Sequence, residues 1–257
     1  MKAQEMEQKY AIASIQKSIL ILKSFSPDRL SQSMTDLHKY TGISIPSLQR
    51  ILSTLLHGGL LQKDEKTKQY RLGMELYFLG SLVEKDSSLL NTALPYMEEI
   101  RDKTGESVSL NINWNSKRKC IGYCESKHEL TTLTYIGHES PLYAGASAKV
   151  LLAYMEREEI QSYFEKSAFL SYTNKTIVDR DKLLKELQLI KEKGFAISYG
   201  ERVKGAFSVS VPIFNPLNQI IAGMSIAIPI VRLEEFNQDD LIILLKQKAK
   251  EISQSFV

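Results

Sequence analysis

Cysteine occurs only twice in the 257 residues, as Cys120 and Cys124. Two thiols make no disulfide framework in a chain of this length, so a reducing cytoplasm is the expected setting. Long apolar runs are missing as well. No stretch approaches the ~18 uninterrupted apolar residues of a membrane helix. The first ten residues, MKAQEMEQKY, are polar and mixed in charge and do not read as a secretory leader. Catalytic signatures are also lacking: there is no nucleophile elbow, phosphate loop or paired-carboxylate motif, and no catalytic residue or cofactor is expected. Tyr199-Gly200-Glu201 and Lys204 are polar neighbours without an acid–base pattern. Cys120, Cys124 and His128 stand at i, i+4 and i+8, with His138 beyond. A zinc site wants closer pairs, so no metal site is assigned. On a strand the two thiols would face one side as small apolar fillers.

What is present is a helix-turn-helix pattern between residues 33 and 59, SMTDLHKYTGISIPSLQRILSTLLHGG. The first helix spans residues 34–40, with Ser33 or Thr35 as its cap. Thr41-Gly42-Ile43 makes the turn, with Gly42 supplying a left-handed backbone. Ser44 caps the second helix, whose first turn accepts Pro46 because no N–H is needed there. Leu37, Ile43, Leu48 and Ile51 fall where the two helices must pack together. Before them, residues 14–25 put Ile15, Ile19, Leu22 and Phe25 on one helical face. After them, residues 60–72 read as a hairpin with a charged tip at 64–68. Three helices and a hairpin make a winged helix-turn-helix.

Charge supports a duplex DNA partner. Residues 1–80 hold eleven Lys and Arg against seven Asp and Glu, whereas residues 81–257 hold twenty-two against twenty-three. The basic surplus therefore sits with the winged region, where phosphates would attract it. Ile45, Pro46, Ser47, Gln49, Arg50 and Ser53 occupy the faces of the second helix left free by Leu48, Ile51, Leu52 and Leu55. Gln49 suits adenine, Arg50 suits guanine or phosphate, and Ile45 and Pro46 suit a thymine methyl. Lys63, Lys66, Lys68 and Arg71 on the wing suit phosphate contact, which adds affinity without sequence choice.

Downstream, a helix over residues 73–90 bridges to a second domain, and another follows over 92–104 with Pro95 in its first turn. Strands are expected over 107–114, 119–125 and 130–136. Helices follow at 148–155, 157–164 and 181–193. A hairpin at 206–214 and 219–229 and an amphipathic helix over 239–256 close the chain. Strands mixed with helices in this order specify an α+β fold, with an antiparallel sheet flanked by helices. The domain boundaries read as 1–73 for the winged domain, 74–90 for the linker helix and 91–257 for the second domain.

Five segments now carry a resemblance. They are SIQKSILILKSF, GISIPSLQRILSTLLHGGLLQKD, YRLG, SPLYAGASAKVLLA and the stretch from KGFAISYGERVKGAFSVSVPIF to IIAGMSIAIP. In this order and spacing the chain resembles the IclR family of bacterial transcription regulators from about Ser14 to the C-terminus. The resemblance implies a GAF-like C-terminal domain that binds a small effector. It also implies dimers or tetramers on palindromic operators, acting as repressors or activators. Its effector pocket would lie where the loop at 143–147 meets the closing hairpin. Leu133, Tyr143, Gly145, Ala146, Ser147, Ser198, Ser208, Ser225 and Ala227 are the matching positions. Backbone N–H groups at Gly145 and Ala146 would hold a carboxylate, and the serine hydroxyls would donate to it. Glu201 and Arg202 are expected to pair with one another.

This chain departs from the family pattern in four places. His38 replaces a small residue, which would set the two DNA-binding helices slightly further apart. Ser44-Ile45-Pro46 replaces a proline–lysine–serine run and removes a positive charge. Ala148 stands for a glycine, tolerable if φ is negative there. No acid occupies the Ser198 position. The alternative function is a sensor or metabolic enzyme that uses the winged domain for protein interaction.

Overall fold

The computed structural model describes residues 11–132 and 134–256. The N-terminal decapeptide and Leu133, on which expectations fell, lie outside the described residues. The chain divides into two compact units that part between Ser87 and Ser88.

In the first unit, α1 (Ala13–Leu22), α2 (Met34–Thr41) and α3 (Ile45–His57) precede a hairpin of β1 (Leu61–Lys63) and β2 (Tyr70–Leu72), and α4 (Met74–Asp86) follows. Ser33 caps α2: its Oγ accepts from Asp36 N, while the Asp36 carboxylate accepts from Ser33 N. Replacing Ser33 with Ala is expected to destabilise this unit by about 1 kcal/mol, read from its chemical unfolding. Gly42 ends α2 at φ +70°. Ser44 occupies the N-cap of α3 as expected, but its side chain makes no capping bond. His38 is exposed, and its Nδ1–H donates to Ile43 O at 2.7 Å across the turn.

Leu37, Ile43, Leu48, Leu52, Leu55, Leu61, Tyr70 and Ile21 form the core of this unit. The face expected for α1 is thereby corrected: Ile15 and Ile19 are exposed, and Ile21 is the fully buried residue. Apolar residues occur all round this helix, so packing against α2 and α3 selects the side. Gln32 adds a third rung to the wing, exchanging backbone bonds with Tyr70 at 3.0 and 2.8 Å.

The helix expected over 73–90 is broken. α4 ends at Asp86, Ser87 is extended, and α5 (Ser88–Thr104) starts afresh. Pro95 consequently sits inside α5 rather than in its first turn, a position that removes one helical hydrogen bond.

The second unit is built on a six-stranded sheet in the order β5-β4-β3-β8-β7-β6, antiparallel throughout. The strands are β3 (Ser107–Trp114), β4 (Lys117–Cys124), β5 (Glu139–Pro141), β6 (Ala196–Tyr199), β7 (Ala206–Phe214) and β8 (Ile220–Pro229). Asn115 and Ser116, both at positive φ, form the two-residue turn between β3 and β4. The strand expected over 130–136 does not form among its described residues, and the edge is taken instead by β5. The short edge strands β5 and β6 escaped the sequence pattern because three or four residues show too little alternation.

One sheet face buries Val108, Leu110, Phe207, Val209, Met224 and Ile226 against α5 and α9 (Gln238–Gln254). The other receives α6 (Ala146–Ala153), backed by α7 (Arg157–Lys166) and α8 (Arg180–Lys193). Ala148 lies within α6, with none of the positive φ that would call for glycine.

A bulge in β4 decides how the cysteines point. Leu110 pairs with Gly122 but Asn111 pairs with Cys120, leaving Ile121 as the extra residue. A single inserted residue exchanges the faces of a strand. Cys124, opposite Val108, therefore joins the α5/α9 core, whereas Cys120, opposite Asn111, faces the other way. The two thiols do not share a side as expected. Among the described residues, no group of three metal-ligating side chains comes together.

Candidate functional site

The first candidate surface is the outer side of α3. Leu48, Leu52 and Leu55 are buried beneath it. Ile45, Pro46, Gln49, Arg50 and Ser53 are exposed, and Ser47 is half-buried. On the wing, Lys66, Lys68 and Arg71 are exposed. Lys63 lies 5.7 Å from the centre of the Tyr70 ring. The Lys68 ammonium meets Glu65 Oε2 at 2.8 Å. Asp64 shapes the tip by accepting from the N–H groups of Lys66 and Thr67.

The second candidate is a cavity of about 70 Å³ in the C-terminal unit, between the sheet, the start of α6 and the loop after β6. Alternation builds its floor. While Phe207 and Val209 turn to the core, Ser208 turns to the cavity, and Ser225 and Ala227 do the same on β8. Register sets Ser109 opposite Ser225, and Ser198 opposite Ser208, which is itself opposite Ala227. The result is a pair of short, small-residue rows. Ser225 Oγ donates to Ser210 Oγ at 2.8 Å.

Of the sequence-predicted effector residues, Gly145, Ala146, Ser147, Ser198, Ser208, Ser225 and Ala227 all line this cavity. Tyr143 does not. Its ring packs against Phe169 at 4.8 Å, and its hydroxyl bonds both the carbonyl and the N–H of Leu170. Burial pushes that phenol up to about 12.

The expected anion nest at Gly145 is already occupied. Gly145 sits at φ +95°, a conformation glycine adopts without strain, and its N–H donates to Glu201 Oε2 at 3.1 Å. Glu201 is therefore not paired with Arg202. Its other oxygen meets Lys149 Nζ at 2.6 Å, and the same ammonium reaches Glu186 at 2.7 Å and Ile197 O at 3.0 Å. Thr176 Oγ1 donates to Glu201 O at 2.6 Å, fixing the backbone there.

Sequence reasoning passed over Arg118, with Ser109, Thr132 and Thr134, and took Arg202 only as a partner for Glu201. Arg118, 3% exposed, lines the cavity and donates to Ser140 Oγ, Asn111 Oδ1 and His138 O. Burial, followed by the nearby charge of Arg202, holds its guanidinium at about 10. Arg202 also lines the cavity, and burial lowers it too. Its Nη1 donates to His138 Nε2 at 3.4 Å. Because Arg has no acceptor, the other imidazole nitrogen carries the proton and donates to Thr134 Oγ1 at 3.3 Å. His138 is held neutral, lowered to about 4 by burial and then by the two arginines. Arg118 and Arg202 lie 84 positions apart and share no local motif, so nothing in the linear pattern joined them.

Comparisons with known proteins agree with this architecture. Residues 14–65 match the IclR helix-turn-helix domain, and residues 83–254 match the bacterial transcriptional regulator IclR C-terminal family. The HTH-type transcriptional regulator KipR of Bacillus subtilis is 32% identical over 240 residues, covering 93% of this chain and 95% of that protein. An IclR transcriptional regulator from Alicyclobacillus acidocaldarius superposes with a TM-score of 0.85 at 23% identity, covering 96% of this chain and 100% of that one. An IclR homologue from Microbacterium hydrocarbonoxydans, complexed with 4-hydroxybenzoate, gives 0.84 at 21% identity, over 95% and 99% of the two chains.

Proposed function

We propose that this chain, which belongs to the IclR family of bacterial transcriptional regulators, reads its operator with the exposed side of α3 and answers to a small anionic effector held in the sheet cavity. The observation that carries the DNA half is the division of α3. Leu48, Leu52 and Leu55 anchor the helix, while Gln49, Arg50 and Ser53 project free of the unit. Such a helix enters a major groove with its N-terminal residues nearest the bases. Wing cations then add contacts to the phosphates.

Effector binding shifts operator affinity only through its different affinity for the free and DNA-competent arrangements. We assign the protein to the cytoplasm, as a homodimer or homotetramer that represses from pseudo-palindromic operators. No catalytic role is assigned to it. Among the described residues no helix is long and apolar enough to cross a membrane.

The test selects duplexes from a random pool with the full chain and measures affinity for the winners across a salt series. Log affinity is expected to fall linearly with log salt, as counterions are released. Arg50→Ala is expected to cost about 1–3 kcal/mol in operator binding with the melting temperature unchanged. Failure to enrich any sequence, or an Arg50→Ala variant with unaltered affinity, overturns the assignment.

A further inference from the structure

Buried charges in proteins are ordinarily paired, and the C-terminal unit follows that rule in three places, one of them Lys248 with Glu99 and Glu251. Glu106, fully buried, holds Arg232 through two bonds of 2.7 and 2.9 Å. Lys149 holds Glu201 and Glu186. Arg118, which is buried, and Arg202, which is half-buried, break it. Among the described residues neither has a carboxylate within ion-pair distance, and both face the same cavity. Their partners are neutral: Ser140, Asn111 and the His138 carbonyl for one, the His138 imidazole for the other.

The acid nearest at hand in sequence, Glu201, is held by Lys149 and the Gly145 N–H on another wall. A second polar group is also left over. Thr132 Oγ1 lines the cavity, is buried, and has no hydrogen-bond partner among the described residues.

From these observations we infer that the effector is a small dicarboxylate, whose two acid groups meet Arg118 and Arg202 while Thr132 and the serines of the floor bind its oxygens. The assignment rests on the effector cavity proposed above and narrows its ligand. Two guanidiniums without counter-ions call for two negative charges, and the planar fork of Arg matches a carboxylate through two parallel bonds. A water needs roughly 10–15 Å³ of such space, so about 70 Å³ is room for an acid of a few carbons.

The experiment titrates the full chain by calorimetry with malonate, succinate and malate, at constant ionic strength. Each is compared with its own isosteric amides: the half-amide (succinamate for succinate), with one charge fewer, and the diamide (succinamide for succinate), with none. Inorganic phosphate is the dianion control. At least one dicarboxylate is expected to bind tenfold or more tightly than its half-amide. Arg202→Gln is expected to shrink that preference to within about threefold without lowering the melting temperature of the ligand-free protein. Arg118 is left intact because its bonds to Ser140 and Asn111 also tie β4 to β5 and β3.

Equal binding of succinate and succinamate, or an unchanged preference in Arg202→Gln, overturns the proposal. Phosphate binding as tight as the dicarboxylates overturns it too, since the site would then select charge without reading two acids. Binding of succinamide equal to that of succinate overturns the charge selectivity while leaving the cavity as the effector site. Absence of binding by every probe overturns the dicarboxylate assignment, and operator release by an uncharged metabolite in that case would still leave the effector cavity standing.

Discussion

Lys149→Met is expected to destabilise the C-terminal unit by about 3–5 kcal/mol, the usual cost of removing one partner from a buried ion pair. At ~2–4 °C per kcal/mol for a domain of this size, the melting temperature falls by roughly 6–20 °C. The side chain is 1% exposed, and its ammonium places bonds on Glu201, Glu186 and the Ile197 carbonyl. Methionine matches the length of the stem but supplies no charge. Glu201 is then left buried with the Gly145 N–H and no cation beside it.

The single tryptophan, Trp114, lies on β3 and reports the unfolding of this unit by fluorescence. The double variant Lys149→Met with Glu201→Gln is expected to recover most of the loss, because the uncompensated carboxylate is gone. A loss below ~1 kcal/mol in the single variant would mean that Glu201 reaches water when its partner is removed. The buried pair would then not be what seats α6 on the sheet.

Gly73→Ala is expected to disable the winged unit while sparing the other. A Cβ at Gly73 would lie 1.9 Å from Gly59 O and 2.8 Å from Gly59 C. Both obstacles are backbone, so no side chain can rotate away. The Gly73 N–H also donates to Leu60 O at 2.9 Å, holding the end of β2 beside the start of the hairpin. Relief requires the wing and the start of α4 to move apart.

Overpacking of this kind costs ~1–3 kcal/mol, occasionally more. The expected results are an early loss of far-ultraviolet helix signal and at least a tenfold drop in operator affinity. The Trp114 transition should stay in place. A Gly73→Ala variant with native operator affinity would show that the junction yields without cost.

Much of the winged unit was legible because its determinants are local. The turn at Gly42, the cap at Ser33, the first-turn proline of α3 and the charged hairpin tip each act within a few residues of themselves. The exceptions have one cause. Spacing alone puts Ile15 and Ile19 on the buried stripe of α1, yet the neighbours of that helix chose Ile21. A helix apolar on several sides leaves that choice to its packing partners.

In the C-terminal unit the serines of the cavity floor were reached through the family resemblance, and the alternation of FSVSVPIF and GMSIAIP is the physical reason that they leave the core. The cavity walls follow no such alternation. The extra residue at Ile121 turns Cys120 away from Cys124 and, two positions back, places Arg118 on the cavity side. No residue pattern announces a bulge whose only signature is its pairing with β3.

Local chemistry along the chain was therefore enough to specify a winged helix-turn-helix and an α+β partner, since caps, turns and periodicities act over a few residues, whereas the pocket floor came from the family resemblance. The electrostatics of the pocket were settled by folding alone. Lys149 meets Glu201 across 52 positions, and Arg118 meets the Arg202 cavity wall across 84. Whether a buried charge finds a partner depends on distances of about 3 Å in space, which separation along the chain does not encode.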